Sequence, residues 1–231
     1  MTYPPVAEAT FLQRPNRFIA HCRLGDGAQV VAHVPNTGRC RELLLPGVRV
    51  WLVDHGADAP RKTRYTLVTV DKAGLLVNID SQAPNRLVEE ALHSGTLSLT
   101  RQPPTLIRRE YTHGDSRLDF YLEAPGEKLL VEVKGVTLEE GGIAAFPDAP
   151  TLRGLRHIHE LTAAMGQGYQ GVLFFLIQME GMHRFTPNDR AQPEFRPALR
   201  AAQAAGVRLL ARESRVTPQG LTLGGPVPIQ L

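Results

Sequence analysis

The sequence predicts an α/β plus all-β protein: an OB-like β-barrel over residues 1–82, then an α/β domain with a mixed sheet over residues 83–231. Three observations carry that division. Residues 9–80 hold short runs rich in β-branched residues, separated by loops containing glycine and proline, with no helical period. From Asn85 the apolar spacing becomes that of a helix. Beyond it three strand-like runs come in succession and then alternate with helical ones, the order of a layered α/β fold.

In the first part, FIAHCRL meets AQVVAHV across Gly25-Asp26-Gly27, a hairpin signal. The loop PNTGRCRELLLPG leads to GVRVWLV, and the polar loop DHGADAPRKTR to YTLVTV and GLLVNID. Five short strands in about 70 residues suit a small closed barrel. An OB-fold is the first reading and an SH3-like barrel the second; periodicity does not separate them.

In the second part, Leu87, Val88, Ala91 and Leu92 share one face of a short helix ended by Gly95. The connector RQPPT precedes the strand LIRREYT, and SRLDFYLEA and KLLVEVKGV follow as two strands joined by a turn. Thr151 caps a helix reaching about Gly166, and GVLFFLIQ reads as a strand buried on both faces. An amphipathic helix over residues 193–205, the strand VRLLA and edge strands in the tail complete the chain.

With 42% hydrophobic and 21% charged residues, the composition is that of an ordinary globular protein. No apolar run approaches the roughly 20 residues of a membrane span, and the first ten residues lack the pattern of a secretory signal. No membrane partner is expected. Cys22 and Cys40 form no CxxC and read as small buried apolar residues, which excludes a zinc ribbon and a disulfide framework and suits a reducing cytoplasm. The net charge is +3, and its excess lies in residues 1–80, with ten Lys/Arg against seven Asp/Glu. That bias favours anionic polymers. The oligomeric state is open, a homo-oligomer included.

Chemistry concentrates between Ser116 and Thr137. Alternation on a strand points Glu132 and Lys134 the same way, and pairing across the turn brings Asp119 beside Glu132. Two carboxylates and an ammonium at a sheet edge suit Mg²⁺ or Mn²⁺ and a phosphodiester: Asp119, Glu132 and the Val133 carbonyl as ligands, Lys134 to orient the attacking water or steady phosphate charge. Only four lysines stand among 26 basic residues, so a Lys beside a carboxylate suggests a need for its compact ammonium.

An ExK following an upstream Asp on this element order resembles the PD-(D/E)xK nuclease superfamily. The whole chain resembles the sugar fermentation stimulation protein A family. RPNRFIA, HVPNTGR, ELLLPG, PNRL, SRLDF, VEVKGVTL and FPDAPTLRGLRHIHEL match that family's blocks in order, over roughly residues 10–165. The resemblance implies an N-terminal OB-like domain, a PD-(D/E)xK nuclease-like C-terminal domain and DNA binding. Cys40 stands where the family often has methionine. Glu90 matches the family's NRLxxEA block and is the candidate for a further acid at the metal; wheel geometry places Glu89 equally, and Glu110 is an alternative.

Further candidates surround this centre. Arg153, His157 and Glu160 make a narrow stripe on one helix face, able to grip phosphate or position water, or simply to face solvent. Arg117 shares the strand face of Asp119, as an ion-pair partner or a phosphate contact. Asp148 reads as a turn residue before the helix or as a cleft residue, and Pro147 and Pro150 favour the turn. In the barrel, Arg14, Arg17, Arg39, Lys62 and Arg64 gather in loops and strand ends. Phe18 and Trp51 read as buried, so a surface tracking the phosphate backbone is expected rather than base stacking. The turn Asn36–Arg39 braces the barrel or contacts phosphate. The leading functional reading is a DNA-binding, metal-dependent nuclease. Its rival is a non-catalytic DNA-binding regulator of sugar-metabolism genes with a vestigial nuclease fold. A sugar- or nucleotide-metabolising enzyme has no Walker or GxGxxG motif to support it.

Overall fold

A computed structural model describes residues 1–36, 38–58, 60–114 and 116–231. The first domain contains β1 (Val6–Asn16), β2 (Ile19–Leu24), β3 (Gln29–His33), β4 (Arg49–Asp54), β5 (Tyr65–Lys72) and β6 (Leu75–Asn78). The order is β3-β2-β1-β4-β5-β6, and a short parallel pairing of β3 with β5 closes the first five strands into a barrel. β6 continues β5 as a hairpin. The sequence reading lacked β1, which lies between β2 and β4. Its inward residues include Ala9 and Phe11, a weak alternation that ends near Pro15, so the usual β-branched signal is missing. The barrel interior is filled by Phe11, Leu52, Leu67, Val50 and Val70, each worth about 1.5–3 kcal/mol on burial. Cys22 and Cys40 are buried and unpaired, and burial pushes both thiols up to about 12.

The second domain opens with α1 (Ala83–His93), then β7 (Leu106–His113), β8 (Ser116–Ala124) and β9 (Glu127–Val136). α2 (Leu152–Met165), β12 (Gln170–Ile177), α3 (Phe195–Ala204), β14 (Arg208–Thr217) and β15 (Gly220–Pro226) follow. The sheet order is β15-β14-β12-β9-β8-β7, with β9, β12 and β14 parallel and the outer pairings antiparallel. Successive residues of β12 face opposite layers. Val172, Phe174 and Leu176 pack with Leu87 and Val88 of α1. Leu173, Phe175 and Ile177 pack with Ile158 and Leu161 of α2 and with Phe195 and Leu199 of α3. Thr151 caps α2 by accepting the Gly154 N–H at 2.9 Å.

Between these elements lies a small sheet absent from the sequence reading: β10 (Leu138–Glu140), β11 (Ile143–Phe146) and β13 (Arg184–Pro187). The domains are locked at Gln178. Its side chain donates to Asn78 Oδ1 (2.9 Å) and to the Asp80 carbonyl (3.0 Å), and its backbone N–H donates to Val136 (2.8 Å). Lys72 of the barrel also donates to Glu139. No helix among the described residues is long and apolar enough to cross a membrane.

Candidate functional site

The turn at Pro125-Gly126 sets the register of β8 and β9 as Ala124 opposite Glu127, which carries through to Phe120 opposite Val131. One step further stand Asp119 and Glu132, where the ladder stops. Asp119 Oδ2 there accepts the Val133 N–H at 2.8 Å, so a side chain replaces the neighbouring strand as the acceptor. The N–H and C=O of one strand residue point to the same side, so the Val133 carbonyl lies on this opened edge too. Asp119 Oδ1 accepts from Asn85 Nδ2 of α1 at 2.7 Å. On β7, Glu110 has a left-handed backbone (φ 52°) and interrupts the ladder opposite Asp119.

Glu132 is 3% exposed. Its Oε1 receives both Lys134 Nζ, at 2.5 Å, and His157 Nδ1 from α2. A carboxylate only accepts, so His157 carries its proton on Nδ1 toward Glu132, and Nε2 faces Arg153 Nε at 3.4 Å. Glu132 Oε2 is buried with no protein partner. Burial works against the Glu132 charge, yet the His157 hydrogen bond and the Lys134 ammonium hold its carboxyl below the usual range. Asp119 goes the other way: burial, then repulsion from Glu132, pushes its carboxyl up to about 6 despite the Val133 and Asn85 bonds. Glu160, one turn after His157, also has a buried carboxylate oxygen without a partner.

Several expected site residues lie elsewhere. Glu90 is exposed and pairs with the N-terminal ammonium of Met1 at 2.7 Å, away from Asp119. Its helix neighbour Glu89 pairs with Arg109. From α1 it is Asn85 that reaches the site, a residue visible only as part of the PNRL run. Arg117 pairs with Glu110 at 3.5 Å on the surface. Arg14 is not available to phosphate: its terminal nitrogens donate to the carbonyls of Arg17, Asn36, Gly38 and Arg39 at 2.6–2.9 Å. Arg64 is held by a two-pronged pair with Asp54 and lies over Tyr65. His157 serves Glu132 rather than an incoming phosphate. Arg17, Arg39, Lys62 and Arg153 are exposed. Asp148 Oδ2 abuts Gly38 and Asn36 caps the Gly38 N–H, which makes this turn a brace; Thr37 lies outside the described residues. Trp51 is buried as expected, whereas Phe18 is 53% exposed.

Two family models match in succession: "SfsA N-terminal OB domain" over residues 12–79 and "Sugar fermentation stimulation protein RE domain" over residues 82–220. The chain belongs to the SfsA family. Sugar fermentation stimulation protein homologues of this family resemble it from end to end. One from Desulfitobacterium hafniense is 46% identical over 100% of this chain and 99% of its own. One from Enterococcus mundtii is 45% identical, covering 100% and 96%. The solved structure of Pyrococcus furiosus SfsA in complex with Ca²⁺ superposes with a TM-score of 0.90 at 28% identity, covering 100% of this chain and 98% of that one. The first model falls on the barrel, and the second runs from the start of α1 to that of β15.

Proposed function

We propose that this SfsA-family chain hydrolyses phosphodiester bonds in DNA through a PD-(D/E)xK-type site formed by Asp119, Glu132 and Lys134 with Mg²⁺ or Mn²⁺. The observation that carries the reading is Glu132 Oε2, a buried carboxylate oxygen with no protein partner next to a second, partly buried carboxylate. Leaving such a group unsatisfied costs about 1–3 kcal/mol, more when charged, and a cation removes that cost. The donor set fits Mg²⁺, which binds one or two carboxylates and keeps several waters. Among the described residues no group of three or more His, Cys, Asp and Glu could enclose a metal, so Asp119, Glu132 and the Val133 carbonyl would hold it from one side. The Ca²⁺ named with the Pyrococcus relative is likewise a hard ion with oxygen ligands.

When bound, such an ion polarises the scissile phosphate and lowers the pKa of water. The chain's own residues do the rest. Lys134 and His157 share Oε1 and so fix the Glu132 carboxylate with Oε2 free. Asn85 and the Val133 N–H fix Asp119. Lys134 steadies phosphate charge or orients the attacking water. Arg17, Arg39, Lys62, Arg117 and Arg153 supply contacts to the nucleic-acid backbone. Two buried, unpaired cysteines suit a reducing cytoplasm, where such a substrate is found.

Purified protein with Mg²⁺ or Mn²⁺ is expected to cut at least one of double-stranded, single-stranded or branched DNA, and Glu132→Ala to abolish both cutting and Mn²⁺ binding by calorimetry. Intact substrate in every form, RNA included, refutes the enzyme. Salt-sensitive binding that survives Glu132→Ala without cleavage would establish the non-catalytic regulator instead.

A further inference from the structure

We infer that the end of the barrel carries a nucleotide-sized site for single-stranded nucleic acid, with separate walls for base and phosphate. The inference rests on the nucleic-acid reading above and narrows it to one strand form. A cleft of about 630 Å³ opens beside β1 and the loop after β3. Its volume falls within the roughly 300–1,000 Å³ of small-ligand sites. Exposed Pro46, with the largely buried Leu44 and Phe11 beneath it, gives it an apolar floor, and Arg17, Arg39 and Arg41 a cationic wall.

Among the described residues no acidic one lines it. Glu42, beside Arg41 in the chain, is exposed, and Asp148 lies behind Gly38, lining the adjoining cleft. Arg14 holds the segment that carries Arg39 through its bonds to the Gly38 and Arg39 carbonyls. Ala149, just before α2, closes the side toward the second domain. That helix carries Arg153 and then His157, which touches Glu132.

The decisive feature is Phe18, which stands outside the cleft's own lining. It is exposed in the β1–β2 turn, with the guanidinium of Arg17, which does line the cleft, 5.9 Å from its ring centroid. An exposed ring costs apolar hydration, and beside an arginine it makes the platform on which an unpaired base stacks. Bases in a duplex are already stacked and cannot reach the ring or the apolar floor; a duplex offers only phosphates to the arginines. A single strand uses both walls.

The test is fluorescence anisotropy in EDTA, so that no cleavage intervenes, with a labelled oligothymidylate of about ten nucleotides and a blunt duplex. Phe18→Ala is expected to weaken strand binding roughly 5- to 150-fold and to leave the duplex within about twofold. Arg39→Ala combined with Arg41→Ala should lower the salt slope for the strand by about 1.4. All three side chains are exposed, so folding is preserved. Strand binding unchanged by Phe18→Ala, or equal losses on both forms, overturns this site while leaving the nucleic-acid reading intact. Thymidine monophosphate binding as tightly as the oligomer also overturns it, in favour of a free-nucleotide pocket. Absence of binding to either form sinks the nucleic-acid reading itself.

Discussion

Gly135→Ala tests how tightly the site is tied to the frame around it. Gly135 follows Lys134 on β9, and a Cβ there would stand 2.5 Å from Gln178 Oε1 and 2.7 Å from Pro84 Cγ. Both separations lie under the 3.0 Å that real Cβ contacts respect. The Pro84 ring is fixed in the first turn of α1. The Gln178 amide can swing away only by giving up its bonds to Asn78 and Asp80, in a site where Gln178 is 2% exposed. Overpacking costs about 1–3 kcal/mol, and each of the two lost hydrogen bonds roughly 1 kcal/mol, so a total of about 3–5 kcal/mol is expected. For a chain of this size that lowers Tm by about 6–20 °C. Thermal unfolding followed by circular dichroism reads the shift, with Gln178→Ala and the double variant alongside. Gln178→Ala removes one of the two clashes, so the alanine at 135 should cost less in that background. A Gly135→Ala Tm within about 2 °C of wild type, on the same size scaling, refutes the packing argument.

Three other outcomes follow from particular contacts. Asn85→Ala removes a bond to the Asp119 carboxylate, so cleavage should fall roughly ten- to a hundredfold, whereas Glu90→Gln, distant from Asp119, should leave it within about twofold; equal losses in both would refute the site as drawn. Arg14→Ala strips the Asn36–Arg39 segment of three carbonyl contacts and the Arg17 carbonyl of a fourth, and should lower Tm and speed hydrogen exchange there without changing the salt slope of nucleic-acid binding. The Lys72 hydrogen bond holds the Glu139 carboxyl below its ordinary range. Because the folded value is the lower one, the stabilisation is complete above the unfolded value of about 4.3 and is lost as pH falls through the folded one. Lys72→Met should therefore lower Tm at neutral pH by an amount that shrinks in acid; a difference undiminished near pH 3 would show that the pair contributes nothing.

Much of this fold is legible in the sequence. Two strands joined by a turn can bring Asp119 beside Glu132, and alternation adds Lys134; the register that does so is a finding of the structure, where Ala124 stands opposite Glu127 across Pro125-Gly126. Nor does the strand pattern reveal that the ladder ends there, because that depends on a carboxylate displacing a main-chain acceptor. The helix wheel put Arg153, His157 and Glu160 on one stripe but could not say that His157 reaches Glu132. It also could not separate Glu89 from Glu90, since the outcome depends on where Met1 and Arg109 lie. Arg14 looked like its neighbours because sequence shows a charge and not the carbonyls that saturate it. The apolar character of Phe18 predicts burial, whereas it sits in the exposed turn that sends β1 back into β2. β1 itself hid behind alanines, and β10, β11 and β13 are strands of three or four residues that exist only through pairing between distant segments.

Gln178 has a consequence for how a substrate would be handled. It binds Val136, two residues past Lys134, and Asn78, at the end of the barrel, so neither domain can turn without breaking buried bonds. On the reading proposed above, a strand gripped near Phe18 and severed at Glu132 lies across a span of constant length. The protein would then act as a gauge, releasing fragments cut at a fixed count of nucleotides from the held base, and loosening Gln178 would blur that count into a ladder of products.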